Sequence, residues 1–305
     1  MSDTPKTRVA FIGLGTMGAP MSRNIAKAGF PLLLHDLDRA RAERLAAEYG
    51  ASLAASPTDF AEVDCVITML PTSADVATAV TGPWPDGGTS VAEALPAGAV
   101  VVDMSSSNPL ETTELATVLA GHEVRLVDAP VSGAVERARS GTLSIMLGAD
   151  DEVAASVAVP VIEAMSERIF RTGRVGTGHT MKALNNFVAA AAYTAASEAL
   201  IAGERRGLDP QLMVDILNAS TGQSFVTSHV LGPHVVRGAH ASGFALPLMT
   251  KDVGIAREVT GAMLGDTPVC DAVHQRLADA LAALGNVDHT LAFEHWKQRA
   301  QPRAR

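Results

Sequence analysis

Residues 8–24 read RVAFIGLGTMGAPMSRN, and residues 32–36 read LLLHD. The run VAFI is short, apolar and rich in strand formers, and it stops at Gly13. The residues after the glycines, from about 16 to 28, follow helical spacing. A strand, a tight glycine turn and a helix in direct succession make one βα unit. LLLH then supplies a second strand, and residues 39–49, RARAERLAAEY, a second helix. Further apolar runs follow at 65–70, 99–103, 125–129 and 143–147, with helical stretches between most of them. Continuous apolar strands alternating with helices predict a parallel-rich sheet covered on both faces.

Working outward from that unit, the pattern changes after Thr172. The segment GRVGTG is a glycine-rich connection, and one long helix is expected from about 179 to 206. Asp209 and Pro210 stand where a cap and a first helical residue belong. From there to the C-terminus nearly everything reads as helix. The expected organisation is an α/β Rossmann domain over residues 1–173, then an all-α domain over 174–305, joined through the long helix. A hinge at 173–178 would let one domain move against the other.

The bulk composition narrows the function. Of 305 residues, 47% are hydrophobic and 19% charged, as in an ordinary globular protein with a sizeable core. The net charge of −9 opposes nucleic-acid binding, which needs a basic surface. No apolar stretch reaches the roughly 20 residues that span a bilayer. The N-terminal MSDTPKTR has no apolar core, so no secretory leader is expected. Two cysteines, Cys65 and Cys270, suit a reducing compartment, and a cytoplasmic location is expected. Cys65 lies within an apolar run and is expected in the core. The nine histidines show no metal-ligand spacing, so no metal is expected.

Gly13, Gly15 and Gly18 have the G-x-G-x-x-G spacing. The spacing alone is weak, but its placement between strand and helix is the setting that gives it meaning. Gly13 permits the turn, Gly15 lets backbone approach a pyrophosphate, and Gly18 lets the helix pack on the strand. The following N–H groups, with Leu14, Thr16 and Met17 in the loop, suit phosphate oxygens. Asp36 ends the second strand, where a carboxylate accepts ribose hydroxyls and repels a 2′-phosphate. NAD is therefore expected rather than NADP, although Arg39 and Arg41 stand nearby.

Three more segments give a specific resemblance. They are DAPVSGAVERARSGTLSIMLG at 128–148, GRVGTGHTMKALNN at 173–186 and KDVGIA at 251–256. Together with FIGLGTMGAPMSRN, in this order, they resemble the four signature regions of the β-hydroxyacid dehydrogenases. That family includes 3-hydroxyisobutyrate dehydrogenase and tartronate semialdehyde reductase. The resemblance implies an oxidoreductase moving a hydride between NAD and a small anionic β-hydroxy acid or its semialdehyde. It also implies a homodimer or homotetramer.

By the same resemblance Lys182 is the general acid/base. The chemistry agrees: the alcohol proton must leave as the hydride does, and a neutral amine can take it. Asn186 is four residues on and shares a helix face with Lys182. Ser132, Gly133 and Ala134 match the substrate-carboxylate segment, with Ala134 where relatives usually carry a second glycine. Leu70, Pro71, Asp75 and Ser106 match cofactor positions, although Asp75 stands where relatives often carry Asn. Lys251 matches a lysine that reaches the cofactor, and Phe244 is expected to line the pocket. Two alternatives remain at this point: an imine reductase-like enzyme, which places another residue at the lysine position, and a non-catalytic NAD-binding sensor or scaffold.

Overall fold

The computed structural model describes residues 6–84 and 87–300. The chain divides into two compact units after Lys182. The first opens with β1 (Val9–Ile12), α1 (Gly18–Lys27), β2 (Leu32–His35), α2 (Arg39–Tyr49) and β3 (Ser52–Leu53). It continues through β4 (Cys65–Thr68), α3 (Ser73–Thr81), α4 (Val91–Ala94), β5 (Val100–Asp103), α5 (Pro109–Ala120) and β6 (Arg125–Asp128). Last come β7 (Val131–Ser132), α6 (Ala134–Ser140), β8 (Leu143–Ala149), α7 (Glu152–Glu163) and β9 (Ser166–Gly173). The long helix α8 (Thr177–Arg205) follows.

The sheet order is β3-β2-β1-β4-β5-β6-β8-β7, with β9 also pairing with β8. Strands β3 to β6 are mutually parallel, as the apolar runs predict. β8 runs antiparallel to β6 and β7 and parallel to β9. Side chains alternate across each strand, so two cores form. Val9, Phe11, Ile67, Val102 and Val127 join α1, α2 and α7 on one face. Ala10, Ile12, Val66, Val101 and Leu126 join α3, α4 and α5 on the other. Cys65 is fully buried, and that burial pushes its thiol up to about 12.

The second unit is helical, with α9 (Pro210–Asn218), α10 (Leu246–Leu264), α11 (Pro268–Leu284) and α12 (Ala292–Arg299). A π-helical segment, Thr227–Val236, lies between α9 and α10. Asp209 caps α9 by accepting the Leu212 N–H at 2.8 Å, with Pro210 at the first position. The core is built around Tyr193, whose hydroxyl donates to the Thr290 carbonyl at 3.1 Å and whose ring meets Trp296. Among the described residues no helix is long and apolar enough to cross a membrane.

Candidate active site

The first unit gathers its candidate residues at one edge of the sheet. The parallel register aligns Ile12 with His35 and with Thr68, then Thr68 with Asp103 and Asp103 with Asp128. Five strands therefore end in one row, and the loops leaving them form the crevice where open α/β sheets take their ligands. β1 lies between β2 and β4, so successive crossovers depart in opposite directions at its end.

The glycine loop is fixed from both sides. Gly13 has φ of 95°, and a Cβ there would sit 2.4 Å from the Met69 carbonyl oxygen. A Cβ on Gly18 would sit 1.9 Å from the Gly13 carbonyl oxygen, so α1 packs against the turn as closely as backbone allows. Gly15 differs: it is exposed, with nothing within 4 Å of an added Cβ. No side chain caps α1, and no acidic residue stands in its first turn. Its positive end thus faces open space above Gly15, as a pyrophosphate requires. Thr16 is exposed and Met17 half-buried beside it.

Asp36 holds this loop. One carboxylate oxygen accepts the Leu14 N–H at 2.6 Å, and the other accepts the Asp38 N–H at 2.8 Å. Arg41 approaches the same carboxylate at 3.5 Å and pairs with Asp38 at 3.1 Å. The guanidinium nearest the end of β2 is thereby tied to acids. His35, beneath Asp36, packs against Trp84 at 4.5 Å, and its burial lowers its pKa.

The next two loops are tied to each other. The Leu70 N–H donates to Ser105 Oγ at 2.9 Å. Buried Asp103 accepts from Thr68 Oγ1, the Ser105 N–H and Ser107 Oγ at 2.9, 3.0 and 2.6 Å. Ser106 is held between those two serines, half-buried, and Pro71 is exposed. Asp75 serves α3 as a cap, accepting the Thr72 N–H while Thr72 Oγ1 accepts the Asp75 N–H, both at 3.1 Å. The open glycine, the uncapped helix end and the Asp36 carboxylate at the end of β2 together fit a bound NAD.

Ser132 and Gly133 are half-buried and Ala134 is exposed. Gly133 has φ of 138° and Ala134 φ of 55°. A left-handed alanine costs on the order of 1 kcal/mol, which is why a second glycine suits that position. Lys182 is half-buried on α8, and Asn186 follows one helical turn later.

In the second unit, Asn186 is buried and its amide nitrogen donates to Asp252 at 2.6 Å. The other Asp252 oxygen lies 3.2 Å from the Lys251 ammonium. Sequence reading singled out Asn186 and Lys251 and offered Asp252 as a charge partner for Lys251, but it did not anticipate that the same carboxylate holds Asn186. Phe244 is half-buried and packs edge-on to His289 at 6.0 Å. Its loop is pinned by Asp288, which accepts from Ser242 Oγ at 3.0 Å and the Gly243 N–H at 3.0 Å. Among the described residues no acid, histidine and cysteine cluster has metal-site geometry.

Residues 8–173 match the family described as the NAD binding domain of 6-phosphogluconate dehydrogenase. Residues 176–296 match that described as the NAD-binding of NADP-dependent 3-hydroxyisobutyrate dehydrogenase. The 2-(hydroxymethyl)glutarate dehydrogenase of Eubacterium barkeri is 34% identical over 292 residues, covering 95% of each chain. The mitochondrial 3-hydroxyisobutyrate dehydrogenase of Mus musculus is 37% identical over 261 residues, covering 83% of this chain and 76% of that protein. This chain belongs to the β-hydroxyacid dehydrogenase family. Among solved structures, a Mycobacterium tuberculosis 3-hydroxyisobutyrate dehydrogenase with L-serine is similar at TM-score 0.85 and 31% identity, covering 97% of this chain and 100% of that one. The β-hydroxyacid dehydrogenase described here is an NAD-dependent enzyme acting on the hydroxyl group of a hydroxy acid.

Proposed function

We propose that the enzyme interconverts a small acid of the form HOCH2–CH(X)–COO⁻ with its semialdehyde, X being small, as in 3-hydroxyisobutyrate. The compounds named with the three relatives support this form. 3-Hydroxyisobutyrate, L-serine and 2-(hydroxymethyl)glutarate all carry a hydroxymethyl group on the carbon beside a carboxylate. Only X changes among them, so the shared part is what a common catalytic set would hold.

The observation that carries the reading is on α8. One continuous helix bears Lys182 and, a turn later, Asn186 with its amide already oriented by Asp252. An amide nitrogen has two hydrogens. Asp252 takes one, and the second serves the substrate hydroxyl oxygen. Lys182, as the neutral amine, takes the hydroxyl proton during oxidation and as ammonium returns it during reduction. Ser132 and Gly133 hold the carboxylate, and Phe244 borders X.

Gly13, Leu14, Gly15, Thr16, Met17 and Gly18 hold the pyrophosphate of NAD. Asp36 holds the adenosine ribose, with Leu70, Pro71, Asp75, Ser106 and Lys251 as further contacts. Bound there, NAD would supply the hydride acceptor for oxidation of the hydroxymethyl carbon, and NADH the donor for the reverse reduction. The dinucleotide-binding domain then ends at 173 and the helical domain begins at 174, as the matched ranges 8–173 and 176–296 support. A homodimer or homotetramer would cover Leu212, Ile216, Phe225 and Met263, large apolar side chains exposed on the second unit.

Lys182→Ala tests the assignment. Turnover of 3-hydroxyisobutyrate, L-serine and glycerate with NAD is followed at about 340 nm, the NADH band, and NADH binding by fluorescence. Turnover should fall at least 100-fold with NADH binding retained. A rate near that of the unaltered enzyme would reject Lys182 as the acid/base.

A further inference from the structure

The roles assigned so far leave unused a buried polar cluster in the first unit, where the first turn of α8 meets the ends of β5 and β6. Asp128, the last residue of β6, is fully buried. One of its oxygens accepts the Gly176 N–H and the other the His179 N–H, both at 2.8 Å. These N–H groups open α8, where no preceding helical carbonyl exists to receive them. The His179 ring is also buried, with Nδ1 2.8 Å from Thr112 Oγ1 and Nε2 3.6 Å from Asp103.

Two glycines make room for this carboxylate. A Cβ on Gly148 would sit 2.4 Å from Asp128 Oδ1. A Cβ on Gly178 would sit 2.2 Å from the Met146 carbonyl oxygen and 2.8 Å from Asp128 Oδ2. Burial pushes the Asp128 carboxyl up, while His179 and the N–H donors pull it down. Helices α2, α5, α7 and α9 are capped by the residue just before them. α8 instead takes its cap from a strand that lies 48 residues earlier.

Lys182 is three residues beyond His179, and Ser132 is four residues beyond Asp128. We propose that Asp128 is a positioning residue for the dehydrogenase reaction: it ties the opening turn of α8 to the end of β6, and with His179 fixes where Lys182 stands relative to Ser132 and Gly133. The proposal rests on Lys182 being the acid/base. A misplacement of about 1 Å in such a constellation can cost roughly 100-fold in rate.

The test is Asp128→Asn in the full-length enzyme, beside Lys182→Ala and the double variant. The amide keeps one acceptor oxygen and turns a hydrogen-bearing nitrogen toward the other N–H. The kcat should fall at least tenfold, with the NADH dissociation constant within twofold. Because Asp128 acts through Lys182, the double variant should be no slower than Lys182→Ala alone. A lowered Tm with kcat intact, losses that multiply in the double variant, or a parallel loss of NADH affinity would each overturn the proposal. Thr112→Val, which keeps the carboxylate and removes the hydroxyl at His179, decides the matter if Asp128→Asn does not fold. It should lower kcat without changing NADH affinity, and an unchanged kcat would count against the proposal. If Lys182→Ala keeps its rate, the acid/base reading itself is what has failed.

Discussion

The amide of Asn186 is held by the carboxylate of Asp252, 2.6 Å away and 66 residues on in the chain. A hydrogen bond to a buried charge contributes roughly 1.5–3 kcal/mol, and it fixes which end of the amide faces which way. Asp252→Asn keeps the shape and removes the charge. The expected result is a fall in kcat/KM of about 10- to 100-fold, the kinetic equivalent of that range. Circular dichroism checks that the variant folds. Unchanged kinetics in a folded variant would mean the amide is oriented without help from Asp252.

Asp36 has two tasks, and one substitution separates them. Its carboxylate accepts the Leu14 N–H, and in the proposed cofactor site it would set a negative charge where a 2′-phosphate would lie. Asp36→Ala should raise the KM for NAD about tenfold and lower the NAD-over-NADP preference by more than that. Arg41, released from its acid partner, would then favour the extra phosphate. Kinetic constants with both cofactors decide it, and a preference unmoved by the change would contradict the role given to Asp36.

Gly15 and Gly18 should respond oppositely to alanine. The methyl on Gly18 would meet the Gly13 carbonyl at 1.9 Å, so backbone must shift, and overpacking of this kind costs about 1–3 kcal/mol. Gly18→Ala is expected to lower Tm by several degrees. Gly15→Ala meets nothing within 4 Å and should leave Tm unchanged. It should nevertheless weaken NAD binding about tenfold or more, because the methyl occupies the pyrophosphate's approach. Thermal melts with and without NAD distinguish the two.

The elements that the sequence made legible are those whose signal is local. VAFI ending at Gly13 marks β1, and Asp209 with Pro210 marks the start of α9, each from its own few residues. β9 was hidden because SERIFRTG is an edge strand exposed on most positions, with no apolar run to betray it. The antiparallel entry of β8 was hidden because an apolar strand carries no sign of its direction. Gly232 and Pro233 suggest a break, yet the π-helical turn runs through them. The buried contacts of Asp128 and Asp252 were hidden because a carboxylate reads as surface until its distant partners are known. One signal was present: Asp103 and Asp128 each close a buried apolar strand at the same register.

Acid should weaken the helical unit in a defined window. Burial holds the His289 imidazole below its ordinary 6.5, while Nδ1–H donates to the Phe244 carbonyl at 3.0 Å. Burial also pushes Asp288 up, but hydrogen bonds from Thr290 and Ser242 outweigh it and leave Asp288 below 3.8. With a folded pKa below the unfolded one, the unfolded chain binds more protons between the two values, so stability rises with pH there. For His289 the loss begins as pH falls through about 6.5, and for Asp288 only below about 3.8. His35 has the same sign as His289, whereas raised Asp128 acts oppositely, in a window opening at 3.8. Melting temperature should therefore be level from about pH 7 to about 8, fall again above about 9 where the raised Cys65 thiol counts against the fold, and decline from 6.5 downward. His289→Gln should flatten part of that decline, with the His35 share remaining. A variant whose melting profile keeps the full acid slope would show that His289 does not carry it.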